Sequence, residues 1–368
     1  MKNNFPFSAI LGQDELLLGI VLNIINPNLG GILIKGVKGA GKSTAVYAMP
    51  DIIPEIQVLA NCEFNCDPEK PEEWCKDCSK RYNSNTKEVV TKPIKNVQIP
   101  LSITEESLLG NMDVELLLKN GKQRFIPGIL AKAHRQILYI DEVNLLPDHI
   151  TDDILDVAAM GWNQIEREGF SLSHPSRFLL IGTMNPEEGE LRPQILDRFP
   201  LSVNVSSVTD PAIRKEIIIR NLAYEKEPEK FCKKFQQTNE NLKQQIKLSQ
   251  IFLNQVQVKS ELYNLVVDLC SEKNVDGHRA DITIIKTAQT HAAFEMRDQV
   301  NLRHIKQAAR FVLGHRTREG GLSKPLKMDE IDEYFANLAK GKLRTNKEKN
   351  NQKFSLFSQG DLIQPEKK

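Results

Sequence analysis

The hydrophobic positions divide the chain into two stretches of different period. From residue 8 to about residue 205, short apolar runs alternate with polar turns and helical segments, the pattern of a chain that builds a sheet from buried strands. The turn Ser8-Ala-Ile-Leu-Gly12, followed by Leu16-Leu-Leu-Gly-Ile-Val-Leu-Asn-Ile-Ile25, predicts a buried helix with Asp14 as its N-cap. Ile32–Ile34, Ile56–Ala60, residues 94–101, Ile137–Ile140 and Phe178–Met184 predict strands, and Glu105–Leu109 a short helix. From about residue 206 the strand signals fade and apolar residues recur at helical spacing. Residues 210–224, 247–258, 260–272, 280–295 and 301–314 predict amphipathic helices, the first with Asp210 as N-cap and Pro211 at N1. Past residue 340 the chain is rich in Lys, Asn and Gln and predicts a basic tail without a packed fold. The expected organisation is an α/β core with a parallel sheet over 1–205, a smaller all-helical domain over 206–338, and a tail over 339–368.

The chemistry sits at the ends of the predicted strands. The first strand breaks into Gly36-Val37-Lys38-Gly39-Ala40-Gly41-Lys42-Ser43-Thr44 and resumes as a helix, which fits the phosphate-binding pattern G-x-x-x-x-G-K-[ST]. Gly36, Gly39 and Gly41 let backbone N–H groups turn inward around phosphate oxygens. Lys42 is placed to reach the β- and γ-phosphates, and Ser43 to bind magnesium. Ile137-Leu-Tyr-Ile140 ends in Asp141-Glu142, which suits a magnesium-holding carboxylate followed by a base that polarises the attacking water. An acidic turn after a strand is the plainer reading of that pair, but the phosphate loop upstream turns the balance. Asn185 stands at the tip of the next strand, where an amide can orient the water, although Asn-Pro is also a common turn. Arg192 and Arg198 are candidates to reach a γ-phosphate in cis or from a neighbour. From spacing alone, each reads equally as half of a surface salt bridge.

Composition narrows the field. The 368 residues have room for two domains, and 40% hydrophobic with 26% charged residues is ordinary for a globular protein. A formal net charge of +1 gives no general attraction to nucleic acid or membrane. No aromatic and basic strip suits a helicase or clamp loader. No apolar run approaches the roughly 18–20 residues that span a bilayer. The opening residues lack a signal peptide's apolar centre, so a cytoplasmic location is expected. Four of the six cysteines crowd into Cys62, Cys66, Cys75 and Cys78, spaced C-x3-C-x8-C-x2-C in a loop-like segment over 60–80. A structural zinc ion, an iron–sulfur cluster, four reduced thiols and a redox-sensitive pair are all compatible with that spacing, whose central gap is shorter than in the usual two-knuckle zinc site.

The order of motifs resembles that of the AAA+ ATPases, and the finer text resembles the I subunit of magnesium chelatase and the related cobalt-chelatase subunits. The resemblance runs from about residue 5 to 320. It is carried by Gly12-Gln-Asp-Glu15, the phosphate loop, Ile99-Pro-Leu-Ser-Ile-Thr-Glu-Glu-Ser-Leu-Leu-Gly110 and Phe125-Ile-Pro-Gly-Ile-Leu-Ala-Lys-Ala-His134. Leu138-Tyr-Ile-Asp-Glu-Val-Asn-Leu-Leu146, Ala158-Ala-Met-Gly-Trp-Asn-Gln-Ile-Glu-Arg-Glu-Gly169, His174-Pro-Ser-Arg-Phe178 and Gly182-Thr-Met-Asn-Pro-Glu-Glu-Gly-Glu-Leu-Arg-Pro-Gln-Ile-Leu-Asp-Arg-Phe199 continue it. Two departures are Glu63, where a proline is expected, and Met184, where a glycine often precedes the sensor asparagine. The resemblance implies an ATPase using ATP and Mg2+, with Asn185 as sensor 1, Arg279 as the lid's sensor-2 arginine, and Arg198 rather than Arg192 as arginine finger. It further implies a homo-oligomeric, hexameric ring. The partners would be a D-type subunit with an integrin-like domain and a large subunit that holds the porphyrin. A chaperone-like AAA+ remodelling ATPase with another integrin-like partner shares every one of these residues and differs only in what it acts on.

Overall fold

The structure, a computed structural model, describes residues 4–82, 87–113, 119, 125–167, 170–316, 318 and 325–339. The tail expected beyond residue 339 lies outside the described residues.

Five parallel strands form the central sheet: β1 (Ile32–Gly36), β2 (Asn96–Ile99), β3 (Ile137–Ile140), β4 (Leu179–Met184) and β5 (Leu201–Val205), in the order β5-β1-β4-β3-β2. Ile32 lies opposite Ile181 and Leu201, and Ile137 opposite Leu179 and Asn96. Both faces of the sheet are covered, so alternation along each strand feeds two cores. Ile32, Ile34, Ile137, Tyr139, Ile181 and Val203 fall in one, Leu33, Leu138, Ile140 and Leu180 in the other. The chain leaves β1 for the far edge and returns to both sides of it. The C-terminal end of β1 is therefore a topological switch point, where open parallel sheets bind ligands.

Helix α1 (Asp14–Ile25) precedes β1 as expected, but its N-cap is Gln13, and Asp14 lies in the first turn with no side-chain capping bond at the helix start. Gly12, at φ +71°, turns the chain into the helix, and Gln13 Nε2 donates to Ala40 O (3.4 Å) and Ser206 O (3.0 Å), tying the helix start to the loop after β1 and to the end of β5. The strand expected at Ile56–Ala60 forms over Ile56–Leu59 but pairs antiparallel with Val89–Lys92, away from the central sheet. Apolar content alone does not distinguish a hairpin strand from a sheet strand. Helices α2 (Lys42–Ala48), α3 (Asp148–Met160) and α4 (Pro193–Arg198) complete the sheet's surroundings.

Beyond Val205 the described residues are helical apart from isolated bridges: α5 (Pro211–Lys226), α6 (Pro228–Phe252), α7 (Ser260–Glu272), α8 (Arg279–Phe294), α9 (Leu302–Leu313) and α10 (Met328–Ala339). Asp210 Oδ1 accepts from the N–H groups of Ala212 (2.7 Å) and Ile213 (3.1 Å), the expected cap. The helix expected at 247–258 is the last part of α6, which ends at Phe252 and passes into a 3-10 turn at Leu253–Gln255. The rest of α6 is too polar to show a clear apolar face, and α10 was likewise not read from the pattern. Ala288, Ala292, Ile305 and Phe311 share one buried cluster with Ile20, Ile24 and Val203, so the helical region packs on the outer face of α1 and β5.

Candidate functional site

The loop from β1 to α2 is shaped by glycine. A Cβ on Gly36 would lie 2.2 Å from Val205 O, so only glycine lets β5 run this close to the end of β1. Gly39 (φ +77°) and Gly41 (φ +83°) have open space around them and are needed for their left-handed backbone. Left-handed residues alternating with ordinary ones make an anion-binding nest, which α2 continues. Lys42 Nζ donates to Gly36 O and to Val37 O (3.0 Å), which holds it across the loop. Burial pushes its pKa down, and the carboxylates of Asp141, Glu142 and Glu188 oppose that shift.

The acidic pair faces this loop from β3. Asp141 Oδ1 accepts from Tyr139 Oη (2.7 Å) and Thr183 Oγ1 (2.6 Å), and Tyr139 Oη is 3.2 Å from Ser43 Oγ. A serine hydroxyl and a fixed carboxylate converging at the mouth of an anion nest form a donor set of hard oxygens, which fits Mg2+ carried by a nucleotide. Glu142 has φ +56°, a conformation that costs a non-glycine residue about 1 kcal/mol or more. Its N–H donates to Thr183 Oγ1 (3.1 Å), and its carboxylate lies 3.8 Å from Lys38 Nζ, which also pairs with Glu188 (2.5 Å). Asn185 is buried at the tip of β4, where its Oδ1 accepts from Glu187 N–H (3.3 Å) and its carbonyl from Asn144 Nδ2 (3.4 Å). The phosphate loop, Asp141, Glu142 and Asn185 thus meet at the C-terminal ends of the strands.

Arg198 and Arg279 do not join them. Arg198, at the end of α4, pairs with Asp156 (2.7 Å) and Asp152 (3.6 Å) on α3. Arg279 opens α8. Both line a cavity of about 650 Å³ together with Gly30, Gln136, Phe178 and Pro200, residues that precede the strands. This cavity therefore lies at the N-terminal ends of the sheet, separated from the phosphate loop by the length of a strand, roughly 13–17 Å. Arg192 pairs with Asp148 on α3 instead.

The four clustered cysteines form a third feature. Their sulfurs all lie within 4.8 Å of one another, all four are buried, and Cys75 N–H donates to Cys66 Sγ (3.2 Å).

Known proteins match this chain over most of its length. The magnesium-chelatase subunit ChlI homolog of Methanocaldococcus jannaschii is 45% identical over 88% of this chain and 88% of its own. Magnesium-chelatase subunit ChlI of Synechocystis is 42% identical over 90% and 93%, and the chloroplastic ChlI of Chlamydomonas reinhardtii 43% over 90% and 80%. The chain belongs to the magnesium-chelatase subunit ChlI family. Family models agree on its parts: the AAA domain of the dynein-related subfamily matches residues 79–199, and the AAA lid domain residues 264–334. A solved complex of magnesium-chelatase subunits BchI and BchD contains a chain 36% identical, with TM-score 0.51, over 90% of this chain and 99% of that one. A Cytophaga hutchinsonii protein, 16% identical with TM-score 0.55 over 92% of both chains, shares the fold. The chain is accordingly an AAA ATPase whose sheet is followed by an AAA lid. Among the described residues no helix is long and apolar enough to cross a membrane.

Two side chains of this ChlI-family site escaped the sequence reading. Tyr139 carries the one hydroxyl of an otherwise aliphatic buried strand, two residues before Asp141 and so on the same face, which was a usable signal. Thr183 gave none, because its partners Asp141 and Glu142 lie on a different strand some forty positions away.

Proposed function

We propose that this chain is the ATP-hydrolysing motor subunit of a tetrapyrrole metal chelatase of the magnesium-chelatase type, working as a homo-oligomeric ring. The observation that carries the reading is 40–45% identity to ChlI proteins over about nine-tenths of the chain. The approach of Asp141 and Thr183 to each other, and of Tyr139 to Ser43, beside the phosphate loop supports the ATPase part of the reading. Residues 1–205 serve as the core and 206–338 as the lid.

In the proposed mechanism the loop amides from Gly36 to Thr44, with Ala40 at its centre, bind the phosphates, and Lys42 swings from the loop carbonyls onto the β- and γ-phosphates. Ser43 and Asp141 would hold Mg2+, which neutralises charge between those phosphates. Glu142, fixed by Thr183, takes the proton of the attacking water as its oxygen bonds to phosphorus and the bond to the β-phosphate oxygen breaks. Asn185 orients that water. Arg198 and Arg279 stand at the opposite end of the sheet and complete the site of the next protomer, which is the arrangement a ring provides. The BchI–BchD complex supports a D-type partner; an integrin-like domain on that partner is part of the proposal. Metal insertion itself belongs to a large subunit holding the porphyrin. Cytoplasmic operation belongs to the same reading; the Chlamydomonas and Glycine max relatives are described as chloroplastic.

The test is capture of the tagged chain from its own cells with ATP and Mg2+ present. A large partner carrying bound tetrapyrrole is expected, together with Mg2+-dependent ATPase activity. Recovery of an integrin-like partner and a protein client, with no pigment-bearing subunit, would replace the chelatase reading with the remodelling one.

A further inference from the structure

The ATPase site makes no use of Cys62, Cys66, Cys75 or Cys78, and burial alone does not explain them. A free cysteine commonly serves as a small core hydrophobe, as Cys270 does within the large core of the helical region. Here four converge instead. Around a single ion with Zn–S bonds of about 2.3 Å, tetrahedral sulfurs stand about 3.8 Å apart. Mutual distances within 4.8 Å need only a slight contraction to reach that value. The sulfurs form one group rather than two pairs, and none of the six cysteines is in a disulfide.

The backbone around them is shaped for such a centre. Asn61 (φ +53°) and Asn65 (φ +49°) take left-handed turns just before Cys62 and Cys66. Cys75 and Cys78 are three positions apart across the first turn of the helix Lys76–Arg81, which puts both on one side of it. The Cys75 N–H bond to Cys66 Sγ is the kind of outer contact that orients and stabilises a thiolate ligand. The surrounding cluster is small: Leu59 and Trp74 are its buried non-cysteine members, with Phe64 and Tyr82 packed against it. Such a core is too small to hold an excursion of nearly thirty residues without a staple.

We propose that these four cysteines bind one structural zinc ion, and that the ion fixes the wall of the arginine-lined cavity. Binding replaces four S–H protons and leaves a tetrathiolate centre of net charge −2. A tetrahedral S4 set selects zinc over the earlier divalent metals, and an iron–sulfur cluster would hold its thiolates farther apart because inorganic sulfide stands between them. The loop between the second and third ligands carries Asp67 and Glu73, which pair with Arg135 (3.2 Å) and Arg177 (3.2 Å). Arg135 also donates to Gln57 O (2.6 Å) and Asn65 O (3.3 Å). Both arginines line the cavity that holds Arg198 and Arg279. The zinc knuckle thereby keeps two cations committed to its own acids and sets the position of that wall. The inference goes beyond the motor reading and stands on different residues.

The experiment is elemental analysis of the full chain, prepared without a polyhistidine tag and without added zinc. About one zinc per chain is expected. X-ray absorption at the zinc edge should then show sulfur ligands alone at about 2.3 Å. Less than half an equivalent of zinc overturns the proposal, as do iron with acid-labile sulfide or nitrogen and oxygen in the first shell. Cys66→Ser should lose at least nine-tenths of the metal, whereas Cys270→Ser should keep it. Equal loss from both variants places the ion elsewhere. If Cys66→Ser does not fold, an organomercurial titration of the native chain decides: zinc release in step with modification of four thiols supports the site, and release without thiol modification refutes it. Positioning of the wall is read separately by hydrogen exchange at Arg135 and Arg177 after zinc removal. Faster exchange there with unchanged exchange at Lys42–Ala48 is expected, and identical exchange at Arg135 and Arg177 with and without zinc removes the positioning role.

Discussion

Thr183→Val isolates the contact that joins the two acidic residues. Valine has nearly the same shape, and the side chain is fully buried, so packing is conserved while the hydroxyl is lost. The hydroxyl's two short bonds go with it, the 2.6 Å donation to Asp141 and the 3.1 Å acceptance from Glu142 N–H, together with a long 3.5 Å contact to Ile140 O. A hydrogen bond to a charged group contributes about 1.5–3 kcal/mol, and a buried N–H left without its acceptor costs about 1–3 kcal/mol. Glu142 is the more sensitive partner, because its left-handed backbone has to be held against its own preference. If about half of the combined loss falls on the transition state, kcat drops roughly 10- to 100-fold. Nucleotide binding rests mainly on the loop and Lys42, so the Kd of a fluorescent ATP analogue should shift less than about fivefold. Thr183→Ser, which restores the hydroxyl, should recover most of the rate. Steady-state phosphate release and fluorescence titration of the three proteins settle the matter. A valine variant within twofold of the native kcat, or a serine variant that falls as far as valine, refutes the reasoning.

Three further outcomes follow from the same geometry. Glu142→Gln should bind ATP and still assemble while losing about 100-fold or more of its hydrolysis, since general-base catalysis supplies about that factor; retained turnover overturns the base assignment. Lys42→Ala and Arg198→Ala chains, inactive alone, should regain part of the activity on mixing, because some interfaces then keep both intact halves; proven co-assembly with no recovery at any ratio removes Arg198 from the neighbour's site. Lys35, on β1, has its pKa lowered by burial to about 8, with Glu190 opposing the shift. The unfolded chain binds the extra proton between about pH 8 and 10.5, so stability rises with pH across that window and the full cost, about 3 kcal/mol, is carried below it. Lys35→Met should therefore melt higher than the native chain at pH 7, with the gain shrinking toward pH 10; a gain independent of pH would show that desolvation of the ammonium is not its source.

Legibility followed locality. The loop at Gly36–Thr44 was readable because its requirements are met within nine residues by glycine, lysine and hydroxyl chemistry. Asp141-Glu142, an ordinary acidic turn by itself, became readable only with the phosphate loop upstream. Four strands of the parallel sheet followed from short apolar runs separated by helical stretches; the fifth, β5 (Leu201–Val205), was not among the expected strands. What was lost was non-local. The partners of Ile56–Leu59 lie some thirty residues on, and nothing in an apolar run announces a hairpin rather than a sheet edge. Most of α6 was missed because a long helix rich in Lys, Gln and Asn buries few of its residues, among them Phe231 and Ile246, which is too sparse a stripe to read. Thr183 is invisible for the same reason in miniature. The cysteines lie between these cases: spacing left four fates open, and only the mutual approach of the sulfurs favours one.

The position of Arg279 bears on how nucleotide state is passed on. For this side chain to meet the phosphate loop of its own chain, the helical region would have to leave the outer face of the core. That face is closely tied. Phe311 approaches Gly19, Asn26 Nδ2 donates to Thr290 Oγ1 (3.1 Å), Gln250 Nε2 to Ile24 O (3.0 Å) and His315 Nε2 to Phe199 O (2.6 Å), while Arg310 pairs with Glu15 (2.8 Å). Ile20, Ile24, Val203, Ile305 and Phe311 are all fully or nearly fully buried in the shared cluster. Re-exposing such side chains costs about 1.5–3 kcal/mol each, so separating the two regions costs on the order of the entire stability of an ordinary domain. A lid that clamps its own nucleotide by swinging across the molecule is therefore the expensive motion. Small rotations of a core and helical region that move together, read at the next protomer through Arg198 and Arg279, leave this packing intact. On the proposed reading, that makes the contact between protomers the place where ATP hydrolysis is converted into movement.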